Sequence, residues 1–156
     1  NFKFVLKRAP LLEFFMIAFN LPYMSLMSVY IGTQFVPIKT TETHVRYGQL
    51  HVQFLVDEKL NNYNEIYDWI NRRGFPFDYN QYRSISTEKP EAGNWLDSDI
   101  SIIVENSNHK ACAEFTMIDA HPISLSGIRL NTTDNDIRPV DAAVTFEFTR
   151  MTFNQV

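Results

Sequence analysis

Apolar and polar residues alternate along much of this chain, a period of two that is typical of β-strands with one buried face. The clearest run places Leu50, Val52 and Phe54 on one face, with His51 and Gln53 between them. Similar runs, with a strand-favouring composition over residues 23–36, predict strands over residues 2–6, 23–36, 50–56, 99–105, 111–120 and 142–153. The chain is therefore expected to be mainly β.

The last of these runs changes phase part of the way along. Val144 and Phe146 are apolar at even positions, whereas Met151 and Phe153 are apolar at odd positions. Such a slip indicates a bulge near Thr149 or a switch of the buried face.

A helical period replaces the alternation after residue 60. The apolar stripe at this spacing consists of Tyr63, Ile66, Tyr67 and Ile70. It predicts one helix over residues 62–73, which we expect to pack on the sheet through that stripe. Asn62 is a suitable capping residue at its start, and Gly74 follows its end.

Trp69 lies beside that stripe and widens the apolar face of the helix. Two interpretations follow from its position. Trp69 either packs at the edge of the core beneath the helix, or it anchors a subunit interface, where Trp and Tyr are enriched. We keep it as a candidate interface residue.

Three further segments lack a clear period. Residues 11–19 predict a short turn of helix or an extended crossing, residues 40–48 a loop or the tip of a long hairpin, and residues 75–94 a long loop. The segment over residues 38–48 has no apolar side that could pack on the rest of its own chain, so we predict that it becomes ordered only between chains. Its candidate interface residues are Thr41, Glu42, His44 and Arg46.

The composition suits one domain over residues 1–156 with one core, because 45% of the 156 residues are hydrophobic and 21% are charged. Strands with one flanking helix at about residues 62–73 predict a mainly β or α+β sandwich. The 13 Phe residues are many large apolar side chains for so small a domain, which indicates that part of the apolar surface is buried between chains. The net charge of −4 argues against ordinary phosphate-neutralising recognition of nucleic acids.

Residues 14–38 contain no charged residue and are long enough to span a membrane. Pro22 breaks this stretch near its middle, and polar residues such as Asn20 and Gln34 interrupt it. We therefore expect no membrane-spanning segment.

Residues suited to catalysis or metal binding are sparse. The single cysteine, Cys112, favours a structural thiol over a nucleophile, and the four histidines lack the short spacings of zinc ligands. Asp134-Asn135-Asp136 begins like a calcium loop, but no Gly or later Glu completes the spacing, so it predicts a turn. We predict no enzymatic activity, no cofactor and no metal site.

Several motifs follow one another in a recognisable order. They are Asn20-Leu21-Pro22, Phe35-Val36-Pro37, Leu50-His51-Val52-Gln53-Phe54, Ile66-Tyr67-Asp68-Trp69-Ile70, His121-Pro122-Ile123-Ser124 and Ala143-Val144-Thr145-Phe146. Together they resemble the tail-tube proteins of contractile-tailed bacteriophages, including the tube-like domains of tube-initiating and baseplate proteins. The similarity covers nearly the whole chain.

The resemblance implies a β-sandwich with one flanking helix, six copies in a ring, and stacked rings whose inner strands line a channel. DNA would pass through this channel without specific binding, which agrees with the negative net charge. The resemblance also implies sheath, baseplate and tape-measure proteins as partners, and a virion tail assembled in the host cytoplasm. It leaves open whether the chain is the repeating tube subunit or an initiating, baseplate or terminating ring.

A recognition module is the competing function. A β-sandwich of this kind could belong to a phage fibre or capsid and bind a receptor or a glycan. Rings or hollow tubes of purified protein in negative-stain images would favour the first function, and compact monomers that bind glycans would favour the second.

Overall fold

The computed structural model describes residues 1–6, 8–74, 80, 97–128, 130 and 139–155. The strands in these residues are β1 (Phe2–Leu6), β2 (Met16–Asn20), β3 (Met24–Ile31), β4 (Ile38–Tyr47), β5 (Leu50–Leu55), β6 (Ser98–Glu105), β7 (Ala111–Leu125), β8 (Asp141–Glu147) and β9 (Arg150–Gln155). The helices are α1 (Pro10–Phe15) and α2 (Asn61–Gly74). A mainly β fold with one main helix is confirmed.

The largest sheet is organised around β7, a strand of 15 residues. The sheet runs in the order β1-β6-β7-β8-β5-β2, and β9 also pairs with β7. Residues 113–118 of β7 pair with β9, whereas residues 121–125 pair with β8. Asp119 lies between these halves with a φ of 57°, which interrupts the extended backbone. The first half of β7 thus belongs to a wing with β1, β6 and β9, and the second half to a wing with β2, β5 and β8.

One hydrophobic core is shared by both wings and by α2. Its buried large side chains include Phe4, Leu6, Leu50, Val52, Phe54, Ile66, Trp69, Ile100, Ile102, Met117, Val144 and Phe146. In β5 the predicted alternation is confirmed, because residues 50, 52 and 54 are buried while 51 and 53 are exposed. The period of two in the sequence therefore reports the core face of this strand.

The predicted strands differ from the observed ones mainly near the end of the chain. The strand predicted over residues 111–120 continues to Leu125 as part of β7. The single strand predicted over residues 142–153 is wrong, because β8 ends at Glu147 and β9 begins at Arg150. β8 pairs in the second wing and β9 in the first. The phase slip near Thr149 marks the point at which the chain changes wing.

The sequence of residues 11–19 left open a short helix or an extended segment, and the structure contains both, one after the other. The short helix α1 begins at Pro10, whose ring suits the first helical turn. The strand β2 follows it directly and pairs with β5. Phe19 of β2 meets Phe2 of β1 edge to face, with ring centroids 4.8 Å apart. The two end strands of the sheet order therefore approach each other at this point.

The helix α2 confirms the predicted helix but buries a rotated face. Asn62, Ile66 and Trp69 are buried, and Tyr63 and Ile70 are partly buried. Tyr67 was predicted in the packed stripe but is 49% exposed, so that part of the prediction is wrong. Apolar residues occupy a wide part of the helix circumference. The side of α2 that packs on the sheet is the one centred on Ile66 and Trp69.

Asn62 is the buried polar residue at the corner between β5 and α2. Its side-chain oxygen accepts hydrogen bonds from the backbone amides of Asp57, at 3.1 Å, and Tyr63, at 2.8 Å. Its amide nitrogen donates to the carbonyl oxygen of Leu55, at 2.6 Å. The side chain therefore satisfies backbone groups on both sides of the turn, a broader role than the predicted helix cap.

Residues 40–48 are not a loop, because most of them belong to β4. This strand pairs with β3 along a long antiparallel hairpin, from Met24 opposite Tyr47 to Ile31 opposite Ile38. The alternative of a long hairpin is the correct one, although these residues form its returning strand instead of its tip. The strand has no apolar period because it has no core face, and backbone pairing holds it in place.

Two predicted features fall where the structure is not described. The loop predicted over residues 75–94 lies outside the described residues except for Asn80, and the turn predicted at residues 134–136 lies outside them entirely. Among the described residues, no helix has the length and apolar character needed to cross a membrane.

Candidate functional site

The hairpin of β3 and β4 is the main apolar surface of the molecule. Half of the large apolar side chains that are exposed in the described residues lie within residues 24–47. They are Met24, Leu26, Met27, Val29, Tyr30, Ile31, Phe35, Val36, Ile38 and Val45. A contiguous exposed patch of this kind marks an interaction surface.

The two strands of the hairpin differ in character. Successive side chains of a strand point to opposite faces, and β3 has apolar residues at successive positions, such as Leu26 with Met27 and Tyr30 with Ile31. Both faces of β3 are therefore apolar, as in strands that are covered on both sides. The described residues of the chain cover neither face. Since an isolated two-stranded hairpin is at best marginally stable in water, this one needs cover beyond that of the described residues.

The strand β4 is mostly polar and contains the interface residues predicted from the sequence. Thr41, His44 and Arg46 are exposed there, and the side chain of Glu42 lies outside the described part of the chain. Leu26 pairs with Val45 and Ser28 with Thr41, so three residues of β4 lie opposite Met27 alone. Such a bulge sharpens the local twist of a hairpin. The structure thus brings these residues together beside the apolar strand, and their interface role stays a prediction.

The candidate interface residue Trp69 lies elsewhere, in the core. It is 2% exposed, and its ring lies 6.0 Å from that of Phe146. The guanidinium of Arg8 lies over the ring of Trp69, 5.0 Å from the ring centroid, in a cation–π contact. This is the core position that the sequence offered as one interpretation. A contact between Trp69 and a partner remains a prediction, and its burial leaves little surface for one.

Charged residues form a shallow cleft of about 320 Å³ around Trp69, where Arg8 and Arg72 lie near Glu65 and Asp68. Burial and the neighbouring charge of Arg72 lower the pKa of Arg8. Burial raises the pKa of Glu65, although a hydrogen bond from the backbone of Leu11 opposes the change. The Oε2 atom of Glu65 is buried and has no hydrogen-bond partner among the described residues. The cluster links α2 to the segment that precedes α1, and Glu65 is its least well satisfied member.

A second surface, the outward face of β5 and β8, is polar. Side-chain hydrogen bonds on this face join Gln49 to Glu147, His51 to Thr145 and Gln53 to Asp141, at 3.0, 3.0 and 2.8 Å. The opposite faces of these strands form the core. Neither strand contains Lys or Arg, so this face offers acidic and neutral groups but no strong cation for a phosphate backbone.

The groups considered for catalysis stay apart in the structure. No cluster of three or more His, Cys, Asp or Glu residues in the described ranges could hold a metal ion. The thiol of Cys112 is half-buried and donates to the carbonyl oxygen of Val104, at 3.3 Å. His51 lies on the polar face described above, whereas His109 pairs with Glu105 at the turn between β6 and β7, at 3.5 Å.

Sequence reasoning missed the importance of β3 and of Phe35 at the hairpin turn. The strand predicted over residues 23–36 is only partly correct, because β3 ends at Ile31, and its exposed faces were not foreseen. The available signal was the lack of alternation, because apolar residues stand side by side at Leu26 and Met27 and again at residues 29–31. A strand of this pattern is typically covered on both faces, and only the fold shows that the described residues of this chain leave both faces open.

Comparison with known proteins agrees with this picture of an assembly protein. Residues 5–154 match the family described as phage tail tube protein. No curated protein sequence gives a significant match.

Similar folds occur in solved structures of contractile injection systems. A chain of the sheath/tube terminator of the PVC extracellular system has a TM-score of 0.64 at 14% identity, covering 99% of this chain and 93% of its own. The tube-terminating cap of the anti-feeding prophage has a TM-score of 0.61 at 15% identity, with 99% and 89% covered. A chain of the PVC sheath–tube complex has a TM-score of 0.58 at 15% identity, with 100% and 89% covered. At these identities the likeness shows a shared fold.

Proposed function

Because this chain belongs to the phage tail tube protein family, we propose that its copies assemble into hexameric rings of the tube of a contractile particle. The observation that supports this most directly is the β3–β4 hairpin, whose apolar side chains are exposed on both faces of β3. Apolar surface exposed by one copy and covered by another supplies the free energy of association. The function of the protein is then structural: its copies form the wall of the tube, which requires no catalytic step.

The polar face of β5 and β8 is suited to line the passage through such a ring. Its side chains are polar, and Gln53 and Asp141 hydrogen-bond to each other on it. Asp141 and Glu147 supply negative charge, and the two strands lack Lys and Arg. A polyanion such as DNA would be repelled weakly and would find no phosphate-binding groups, so it could slide without being retained. DNA passage is thus supported by the charge of this face.

The structures that contain related folds support a proposal about the neighbours of the ring. Two of the compared structures are tube terminators and a third is a sheath–tube complex; a fourth, with a TM-score of 0.53, belongs to a baseplate. We accordingly propose sheath and baseplate proteins as neighbours of this chain in a phage or injection particle. A terminating ring and a repeating ring differ in whether one or both ring faces are occupied by further copies.

The direct test is the assembly state of the purified chain. Size-exclusion chromatography with light scattering should detect six copies per ring, and negative-stain images should show rings with a central opening. Stacks of rings would indicate a repeating tube subunit, whereas single rings that add to preformed tube ends would indicate a terminator. A protein that stays monomeric at high concentration, and binds glycans in that state, would contradict the proposal.

A further inference from the structure

The turn of the hairpin presents one aromatic side chain to solvent. Phe35 is 91% exposed, more than any other large apolar residue of the described chain, and Val36 beside it is 65% exposed. The turn is ordered by Thr33, whose hydroxyl accepts a hydrogen bond from the amide of Val36, at 3.3 Å, and donates to the carbonyl oxygen of the same residue. Phe35 is therefore held outward by a formed turn, which reduces the entropy lost when it binds.

The base of the hairpin contains a cleft of about 450 Å³. Its apolar walls come from Leu21, Pro22, Tyr23 and Tyr47, and its polar rim includes Gln49 and Glu147. A cavity of roughly 150 Å³ already holds a benzene ring, so the cleft has room for a phenylalanine side chain and part of its neighbour.

One wall of the cleft is set by a close backbone approach. The amide of Gly48 donates to the carbonyl oxygen of Tyr23, at 2.8 Å. A Cβ atom at position 48 would lie 2.6 Å from two carbons of the Tyr23 ring, closer than real side chains come. Glycine at this position lets the ring of Tyr23 lie against the backbone as one wall of the cleft, and a larger residue would displace that ring, which is 70% exposed.

The tip of the hairpin cannot fill the cleft of its own chain. The eight residues of β3 extend about 27 Å at roughly 3.4 Å per residue. The backbone pairing of β3 with β4 runs from the base to the residues next to the turn, so the hairpin does not fold back on itself. Whatever enters the cleft comes from outside this hairpin.

We propose that Phe35 of one copy inserts into the cleft at the hairpin base of a second copy. The tip supplies an exposed aromatic anchor, and the base supplies an apolar pocket with a polar rim, which is the usual arrangement of an interface hot spot. This inference rests on the proposed self-assembly and names the contact that joins two copies.

In the proposed ring this contact is head to tail, because two copies that exchanged tips with each other would form a closed dimer. Each copy gives its tip to one neighbour and receives a tip from another, so the interface can close into a ring or continue as a helical array. A self-complementary contact would stop at two copies. The proposal therefore predicts oligomers of more than two copies joined through one repeated contact.

Disulfide cross-linking of the full chain tests the contact. The protein carries Gln34→Cys at the tip and Gln49→Cys at the rim, with Cys112→Ser to remove the native thiol. Mild oxidation should produce a ladder of covalent oligomers on a non-reducing gel. The matched control pairs Gln34→Cys with Gln53→Cys, which lies on the same face of the sheet but outside the cleft, and it should give no ladder.

The outcomes separate this contact from the proposed function. Rings that form without a ladder overturn the contact and leave the ring assembly standing. A ladder in a protein that never forms rings supports the contact and contradicts the ring. A protein that neither cross-links nor assembles overturns both.

Two single substitutions probe the contact from opposite sides. Phe35→Ala should raise the concentration needed for half-assembly by at least about tenfold, as the loss of an anchoring aromatic does. Gly48→Ala should have an effect in the same direction, because it displaces the ring of Tyr23 and deforms the pocket. Phe153→Ala, at an exposed phenylalanine on β9, is the control and should assemble normally. Circular dichroism should show folded monomers for all three, and normal assembly of Phe35→Ala would overturn the proposal.

Discussion

The helix α2 and the β3–β4 hairpin contain comparable apolar residues but place them in opposite surroundings. Ile66 and Trp69 of α2 are buried against the sheet of their own chain. Leu26 and Tyr30 of β3 remain exposed. The difference indicates that α2 contributes to the stability of the single chain, whereas the hairpin leaves its apolar surface available for the proposed association. Substitutions in the two regions should therefore alter different measurable quantities.

Removal of the hairpin is expected to have the largest effect, and on assembly alone. Replacing residues 24–47 by a short Gly-Ser turn should abolish rings and tubes while the monomer stays folded, because the described core contains no residue of this hairpin. Light scattering measures the assembly, and thermal unfolding of the monomer measures the fold. An equal loss of monomer stability would show that the hairpin supports the core and would remove the contrast with α2.

Hydrogen exchange tests the same contrast without changing the sequence. Amides of residues 38–48 should be weakly protected in the monomer and strongly protected in the assembly, because isolated hairpins open easily. Amides of α2 should be protected equally in both states. Equal protection of residues 38–48 in the two states would contradict an interface role for Thr41, His44 and Arg46.

Ile66→Ala should cause the largest loss of stability among single substitutions. Its side chain is fully buried under α2, and truncating such a residue costs about 2–5 kcal/mol. The matched control is Ile31→Ala in the hairpin, where the side chain is 53% exposed and the cost should stay within about 0.5 kcal/mol. Urea unfolding of the monomers measures both. A loss near zero for Ile66→Ala would show that this face is not the core.

Asn62→Ala should lower the stability by an intermediate amount. The change leaves the amide of Asp57 and the carbonyl oxygen of Leu55 without their partner, and an unsatisfied buried group costs about 1–3 kcal/mol. Asn64→Ala is the control, because Asn64 is exposed and hydrogen-bonds only to the side chain of Asp68 among its described side-chain contacts. If both substitutions cost the same, the buried corner has no special role.

Glu65→Gln is expected to give the smallest change, and it should be stabilising at neutral pH. Burial raises the pKa of Glu65 in the folded chain above its unfolded value, so the folded state favours the protonated form. The protonated side chain of Glu65 stabilises the fold at pH values below its pKa in the unfolded chain. This stabilisation is lost as the pH rises through its pKa in the folded chain. Glutamine stays neutral and can still accept the hydrogen bond from Leu11.

The pH profile provides the check on this substitution. The stability of Glu65→Gln should exceed that of the native chain at pH 7, and the two curves should converge in acid. Glu58→Gln, at an exposed carboxylate, should show no such gain. A native chain that is more stable than Glu65→Gln at pH 7 would mean that the charged carboxylate has a favourable partner.

Elements with one core face could be predicted from the sequence alone. Alternation placed β1, β5 and β6, and the change to helical spacing placed α2, because burial of one face imposes its period on the residues. The slip near Thr149 likewise located the place where the chain changes wing, although it did not reveal two separate strands. The resemblance of the motifs to tail-tube proteins identified the family without any knowledge of the hairpin.

The rest was decided by tertiary contacts. The strand β4 has no period because neither of its faces meets the core, and β3 is apolar on both faces although the described residues of this chain cover neither of them. Whether Trp69 faces the core or solvent depended on which side of α2 packs against Phe146. The close packing at Gly48 depended on the position of the Tyr23 ring. Local spacing reports that a side chain is apolar, whereas only the folded chain determines whether its own core or another molecule will cover it.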